Sequence, residues 1–97
     1  MNTYVSLLHY TAQGAANIKE SPARLDAAKK LFAANGGKLK EWYLLFGQYD
    51  AMVIAEAPDD ETAARVILMI GAQGNISTET YRAFPEDEYR KVISSLP

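Results

Sequence analysis

Amide, phenol, carboxylate and imidazole side chains gather beside glycines at three places in this sequence. These are the groups with which a small protein binds a polar ligand or moves a proton. The three places are Thr11–Gly14, Gly47–Asp50 and Gln73–Asn75, and His9 stands just ahead of the first. The candidate residues are His9, Gln13, Gln48, Tyr49, Asp50, Gln73 and Asn75. A phenol at Tyr49 donates a hydrogen bond, and a carboxylate at Asp50 accepts one or acts as a base once desolvated. The neighbouring glycines let a backbone turn tightly or approach a ligand. Tight turns select the same residue types, so a turn role also accounts for every one of these positions.

Other chemistries find no support. His9 is the one histidine, no second ligand stands at metal spacing from it, and the chain has no cysteine. Thiolate nucleophiles, disulfides and zinc–thiolate sites are therefore out. The acidic run Asp59-Asp60-Glu61 occupies consecutive helical positions, which do not face one point. It reads as a helix cap. No Gly-x-Ser-x-Gly elbow is present, and Gly14, Gly71 and Gly74 form no phosphate-binding fingerprint. No catalytic residue, metal or cofactor is assigned. Six tyrosines and Trp42 are core or interface material, or the lining of a pocket for a planar ligand.

A chain of 97 residues fits a single domain, 1–97. Its hydrophobic share of 48% and charged share of 23% are those of an ordinary globular protein. A net charge of −2 and a pI of about 5.3 argue against a nucleic-acid partner, which needs a basic face. Lys19, Arg24, Lys29, Lys30, Lys38 and Lys40 are interspersed with Glu20, Asp26 and Glu41, the pattern of a mixed solvated surface. The longest apolar run, Val66–Ile70, is far short of a bilayer span, and the start resembles no signal peptide. The expectation is a cytoplasmic protein without a membrane partner.

Elements must hold the candidate residues in place. Tyr4–Tyr10 is apolar or aromatic at both parities, so a strand covered on both faces is expected. Thr11–Gly14 breaks it. Asn17–Glu20 adds a short turn, and Ser21-Pro22 starts a helix with Ser21 as N-cap. Leu25, Ala28 and Phe32 form the inward stripe of this helix, and Gly36-Gly37 ends it. Leu39–Phe46 and Ala51–Ala57 form a hairpin closed by Gly47–Asp50, with Gly47 in an unusual backbone conformation. Asp59 or Asp60 caps a second helix, whose Val66–Ile70 run predicts burial beyond its core face. Ile76–Phe84 is the fourth strand. After Pro85, Tyr89, Val92, Ile93 and Leu96 make an amphipathic terminal helix.

The order is βαββαβ plus a C-terminal helix. Right-handed crossovers turn it into an α+β, ferredoxin-like antiparallel sheet with strand order 4-1-3-2. That topology brings the three glycine-bearing connections to one end of the sheet, around a common opening. It also leaves one sheet face without helices. An apolar patch of that size predicts a homodimer packed sheet to sheet.

Gly47-x-Tyr49-Asp50 occurs here with Thr11-x-Gln13-Gly14, Lys19-x-Ser21-Pro22-x-Arg24, Gly36-Gly37, Pro58-Asp59-Asp60-Glu61, Gly74-Asn75 and Ala83-Phe84. In this order and spacing the chain resembles the GYD-domain family from Thr3 to about Tyr89. The resemblance implies a ferredoxin-like subunit of the dimeric α+β barrel type and carries over no catalytic residue. Where the family often reads Val-Arg-Thr, this chain has Ile76-Ser77-Thr78, so a basic group is missing there.

Three functions fit this reading. The first is a homo-oligomeric module that binds or senses a small metabolite through His9, Gln13, Tyr49, Asp50 and Asn75. The second is a cofactor-independent enzyme of monooxygenase or isomerase type. The third is a purely structural oligomer.

Overall fold

A computed structural model describes all residues, Met1–Pro97. The strands are β1 (Asn2–Tyr10), β2 (Lys38–Leu44), β3 (Ala51–Ala57) and β4 (Ile76–Ala83). The helices are α1 (Ala12–Ala16), α2 (Ser21–Ala34), α3 (Asp60–Gly71) and α4 (Glu86–Ser94), with a 3-10 turn at Ile18–Glu20. The sheet order is β2-β3-β1-β4, all pairs antiparallel, which is the expected ferredoxin-like arrangement.

Register sorts the side chains into two faces. Tyr4, Ser6 and Leu8 of β1 stand opposite Ala55, Val53 and Ala51 of β3, and all six are buried under the helices. Phe32 of α2 and Val66 of α3 close this core from above, and Leu25, Ala28, Leu31 and Ile67 pack around it. Val5 and Leu7 face the other way, beside Ile54 and Met52, and are only half-buried. Within one chain β1 is therefore covered on one side, where its sequence predicts cover on both. A bulge between Leu39 and Glu41 lets β2 keep Leu39 and Trp42 on the helix side.

Helix ends follow local chemistry with one exception. Asp59 caps α3 by accepting from the Thr62 amide at 2.8 Å. Gly36, at φ +78°, ends α2 in the left-handed region that glycine adopts freely. Ser21 does not cap α2. It is the first helical residue, and its amide bonds back to Ile18 of the 3-10 turn, so the backbone enters the helix already wound. Thr11–Gly14 is likewise not a simple break. Thr11 caps the short helix α1, accepting from the Gly14 amide at 3.1 Å.

Three sequence expectations are corrected at the surface. Only Val66 of the Val66–Ile70 run is fully buried, while Leu68 is 72% exposed. β2 ends at Leu44, and Phe46 lies fully exposed in the connection beyond it. Gly47 is not in the left-handed region, and a Cβ added to it would touch nothing. No helix is long and apolar enough to cross a membrane. α4 projects from the body with every residue from Tyr89 to Pro97 exposed.

Candidate functional site

The three connections do meet at one end of the sheet. The Thr11 amide donates to the Asn75 carbonyl at 3.1 Å, and the Thr11 hydroxyl donates to the Gly74 carbonyl at 2.6 Å. Gln13 Nε2 donates to Asn75 Oδ1 at 3.0 Å and to the Gln73 carbonyl at 3.1 Å. Gly14 makes this approach possible, because a Cβ there would lie 2.0 Å from the Asn75 carbonyl oxygen. The hairpin joins from the other side. Asp50 Oδ2 accepts from the Tyr10 amide at 2.9 Å, and the Asp50 amide donates to the Leu8 carbonyl at 2.9 Å.

The candidate residues nonetheless fall into two groups. Gln13 and Asn75 stand on the helix side. His9 and Tyr49 stand on the helix-free side, with ring centroids 5.0 Å apart. The Tyr49 hydroxyl donates to Glu79 Oε2 at 2.9 Å, away from Gln13 and Asn75. Tyr81 donates to the same oxygen at 3.1 Å. The bonds to Glu79 raise both phenol pKa values above their usual range. Asp50 lies between the groups, with Oδ2 3.8 Å from His9 Nδ1, an ion pair only when the imidazole is protonated. No three His, Asp and Glu side chains gather to hold a metal ion.

A cavity of about 80 Å³ lies between α2, α3 and the covered sheet face. Leu25, Ala28, Phe32, Val53, Ile67 and Ile70 are among its mostly apolar walls. Ser6 and Thr78 of the sheet also line it, and Tyr10, Ser21, Arg24, Gln73 and Asn75 form the rest of its polar border. The Tyr10 hydroxyl and Ser21 Oγ are 3.1 Å apart and share a hydrogen bond. Arg24 donates to the Asn17 carbonyl at 3.0 Å and to the Gly14 carbonyl at 3.4 Å, which ties α2 to α1. Of the five residues proposed from sequence to bind a metabolite, Asn75 alone lines this cavity; His9, Gln13, Tyr49 and Asp50 are outside it.

Sequence reasoning assigned Arg24 to a solvated face and Ser21 to a cap, and so missed both. The available signal was helical spacing. Arg24 precedes Ala28 by one turn, which puts it on the flank of the inward stripe.

This sheet order, with two helices on one face, defines a ferredoxin-like α+β protein. Solved structures share the fold: FFRP-DM1 aligns with a TM-score of 0.61 at 23% identity, covering 87% of this chain and 100% of that one. The leucine response regulatory protein of Mycobacterium tuberculosis aligns with a TM-score of 0.66 at 11% identity, over 87% of this chain and 51% of that one. The chain belongs to the GYD-domain family, which it matches over residues 4–93. A relative from Thermus thermophilus, the glutamine synthetase and cystathionine beta-lyase binding protein, is 30% identical over 86 residues, covering 88% of this chain and 90% of that protein.

Proposed function

We propose that this protein is a homodimeric binding module that senses a small metabolite. The observation that carries this reading is the apolar cavity between α2, α3 and the sheet, with hydroxyl, amide and guanidinium groups at its border. Binding sites of small molecules combine these features: mostly apolar walls and a few fixed polar groups. Asn75 is held at the border by Gln13, so those two candidates act together. His9 and Tyr49 belong to the other face, and Asp50 ties the hairpin to β1 between the two. A cofactor-independent enzyme is the weaker reading, because His9 and Asp50, the candidate bases, stand outside the cavity.

Two dimensions support the dimer. The accessible surface is 6360 Å², against about 5,500 Å² for a compact monomer of 10.7 kDa. The radius of gyration is 14.6 Å, against about 12.5 Å for a compact chain of this length. Part of that excess is the projecting α4, whose residues Tyr89–Pro97 are all exposed, and the rest is surface that a partner can cover. The helix-free face offers Val5, Leu7, Met52 and Ile54 at its centre and Tyr43 and Tyr81 around them. A thermal-shift screen against metabolites tests the binding role, since a ligand of the native state raises the melting temperature by mass action. No stabilising compound across amino acids, organic acids and nucleosides counts against it.

A second reading is an adaptor that docks on enzymes. It is favoured by the Thermus relative's name and by the exposed apolar stripe Tyr89, Val92 and Ile93 on α4, with Leu96 exposed just beyond its end. Co-sedimentation with purified glutamine synthetase, lost on removal of residues 85–97, supports it. Absence of co-sedimentation by the full chain counts against it.

A further inference from the structure

We infer that the ligand of the cavity is a short, branched monocarboxylate whose carboxylate pairs with Arg24. This rests on the binding role proposed above and adds the chemical class.

The size of the cavity limits the tail. It measures about 80 Å³, roughly half the 150 Å³ of an apolar cavity that takes benzene. A tail of roughly two to three carbons fits, at about 30 Å³ for each water-sized group. Walls from Leu25, Ala28, Phe32, Val53, Ile67 and Ile70 offer that tail no hydrogen bond. Branching packs such a tail into the least length above Leu8, Leu39 and Val53, the sheet residues that line the cavity.

Arg24 fixes the charge of the head group. The chain's five ion pairs use His9, Lys40, Arg65, Arg82 and Arg90, and Arg24 takes part in none. Arg24 as a whole is half-buried, and its guanidinium donates only to the carbonyls of Asn17 and Gly14. Carbonyl dipoles orient a guanidinium without neutralising it, and two of its five N–H groups are occupied. The remaining donors suit a planar carboxylate, which guanidinium binds in a fork geometry. Tyr10 and Ser21 hydroxyls stand on the same border as further donors. No Asp or Glu lines the cavity to repel an anion.

The probes are isobutyrate, its neutral isostere isobutyramide, and isobutylamine, titrated into the full chain and followed by the NMR shifts of cavity methyls. Isobutyrate is expected to bind about tenfold more tightly than the amide, the scale of one charge-assisted hydrogen bond, and the amine not at all. Arg24→Gln removes the preference for the acid and leaves amide binding unchanged, whereas Arg24→Lys keeps part of it. Ala28→Leu fills the cavity and weakens both ligands. Equal binding of acid and amide to the natural chain overturns the carboxylate class and leaves a small-molecule cavity standing. An acid preference that survives in Arg24→Gln overturns the pairing with Arg24. If none of the three probes moves the cavity methyls, the inference fails. If Ala28→Leu also leaves every hit of the metabolite screen intact, the cavity is not the binding site at all. Because the comparison of the three probes uses the unmutated chain, it decides the question even where Arg24→Gln does not fold.

Discussion

Ser21 Oγ meets the Tyr10 hydroxyl at 3.1 Å and so joins the end of β1 to the first turn of α2 across the border of the cavity. Sequence logic gave Ser21 a different duty, the cap of α2. The pair is part-buried, so losing it costs more than losing a solvated contact. Ser21→Ala and Tyr10→Phe are each expected to destabilise by about 1 kcal/mol in urea denaturation, the net worth of one hydrogen bond. The double variant should cost less than the sum, since either single change already breaks the bond. Strict additivity would show that the two hydroxyls act separately and that Ser21 contributes through the helix alone.

Gly14 is the position where the meeting of the loops allows no side chain. A Cβ there would sit 2.0 Å from the Asn75 carbonyl, a backbone atom that no rotamer change can move aside. Gly14→Ala should destabilise by about 3 kcal/mol, the upper part of the usual range for overpacking. Gly47→Ala is the control. Nothing lies within 4 Å of its added Cβ and its backbone is not left-handed, so a change within about 0.5 kcal/mol is expected. Chemical denaturation of the two variants side by side checks both values. Equal losses would mean that Gly47 meets something outside the single chain.

The contrast between these residues shows what the sequence makes legible. Strand order, the hairpin and the end of α2 are written in local signals: turn residues at Gly47–Asp50, apolar strands on either side, and Gly36-Gly37. The convergence of Thr11–Gly14 with Gln73–Asn75 followed from topology once those strands were placed. Which face each loop residue takes did not follow. Tyr49 reaches Glu79, a residue 30 positions away, and no local pattern encodes that choice. Arg24 was hidden for the same reason, because its charge matches the solvated lysines around it and only the folded core shows what it borders. The apolar run in α3 predicted burial that a single chain does not supply, and sequence hydropathy does not say what covers it.

Glu79 gives the helix-free face a pH limit. Its carboxylate accepts from Tyr49 and Tyr81, and these bonds, with the nearby negative charge, hold both phenols protonated above their usual pKa of 10.0. A folded-state pKa raised above the unfolded value stabilises the fold below the unfolded value. That contribution is lost as pH rises through the folded one. Glu79→Gln removes the charge and should move both phenol titrations back toward 10.0. It should also flatten the loss of stability on the alkaline side. Ultraviolet titration of the folded protein reads the first effect, and denaturation across alkaline pH reads the second. Unchanged phenol titration in the variant would show that the two bonds are not held in solution.

Ile54 stands at the centre of the helix-free face, opposite Val5 and two pairs along the ladder from Leu7 and Met52. A lysine there meets no core atom, because the residue is only half-buried within one chain. It would however place a charge in the middle of a sheet-to-sheet interface, where desolvation without a partner is expensive. Ile54→Lys should therefore sediment as a folded monomer at micromolar concentration while the natural chain sediments as a dimer. Leu68→Lys is the opposite test. Leu68 is 72% exposed on α3, on the other layer of the molecule. If the dimer forms through the sheets, Leu68→Lys leaves it intact. If Leu68→Lys dissociates the dimer and Ile54→Lys does not, copies pair through their helices and the apolar run of α3 is the interface. A natural chain that is monomeric at the same concentration would remove the dimer altogether and leave both apolar faces to partners of other kinds.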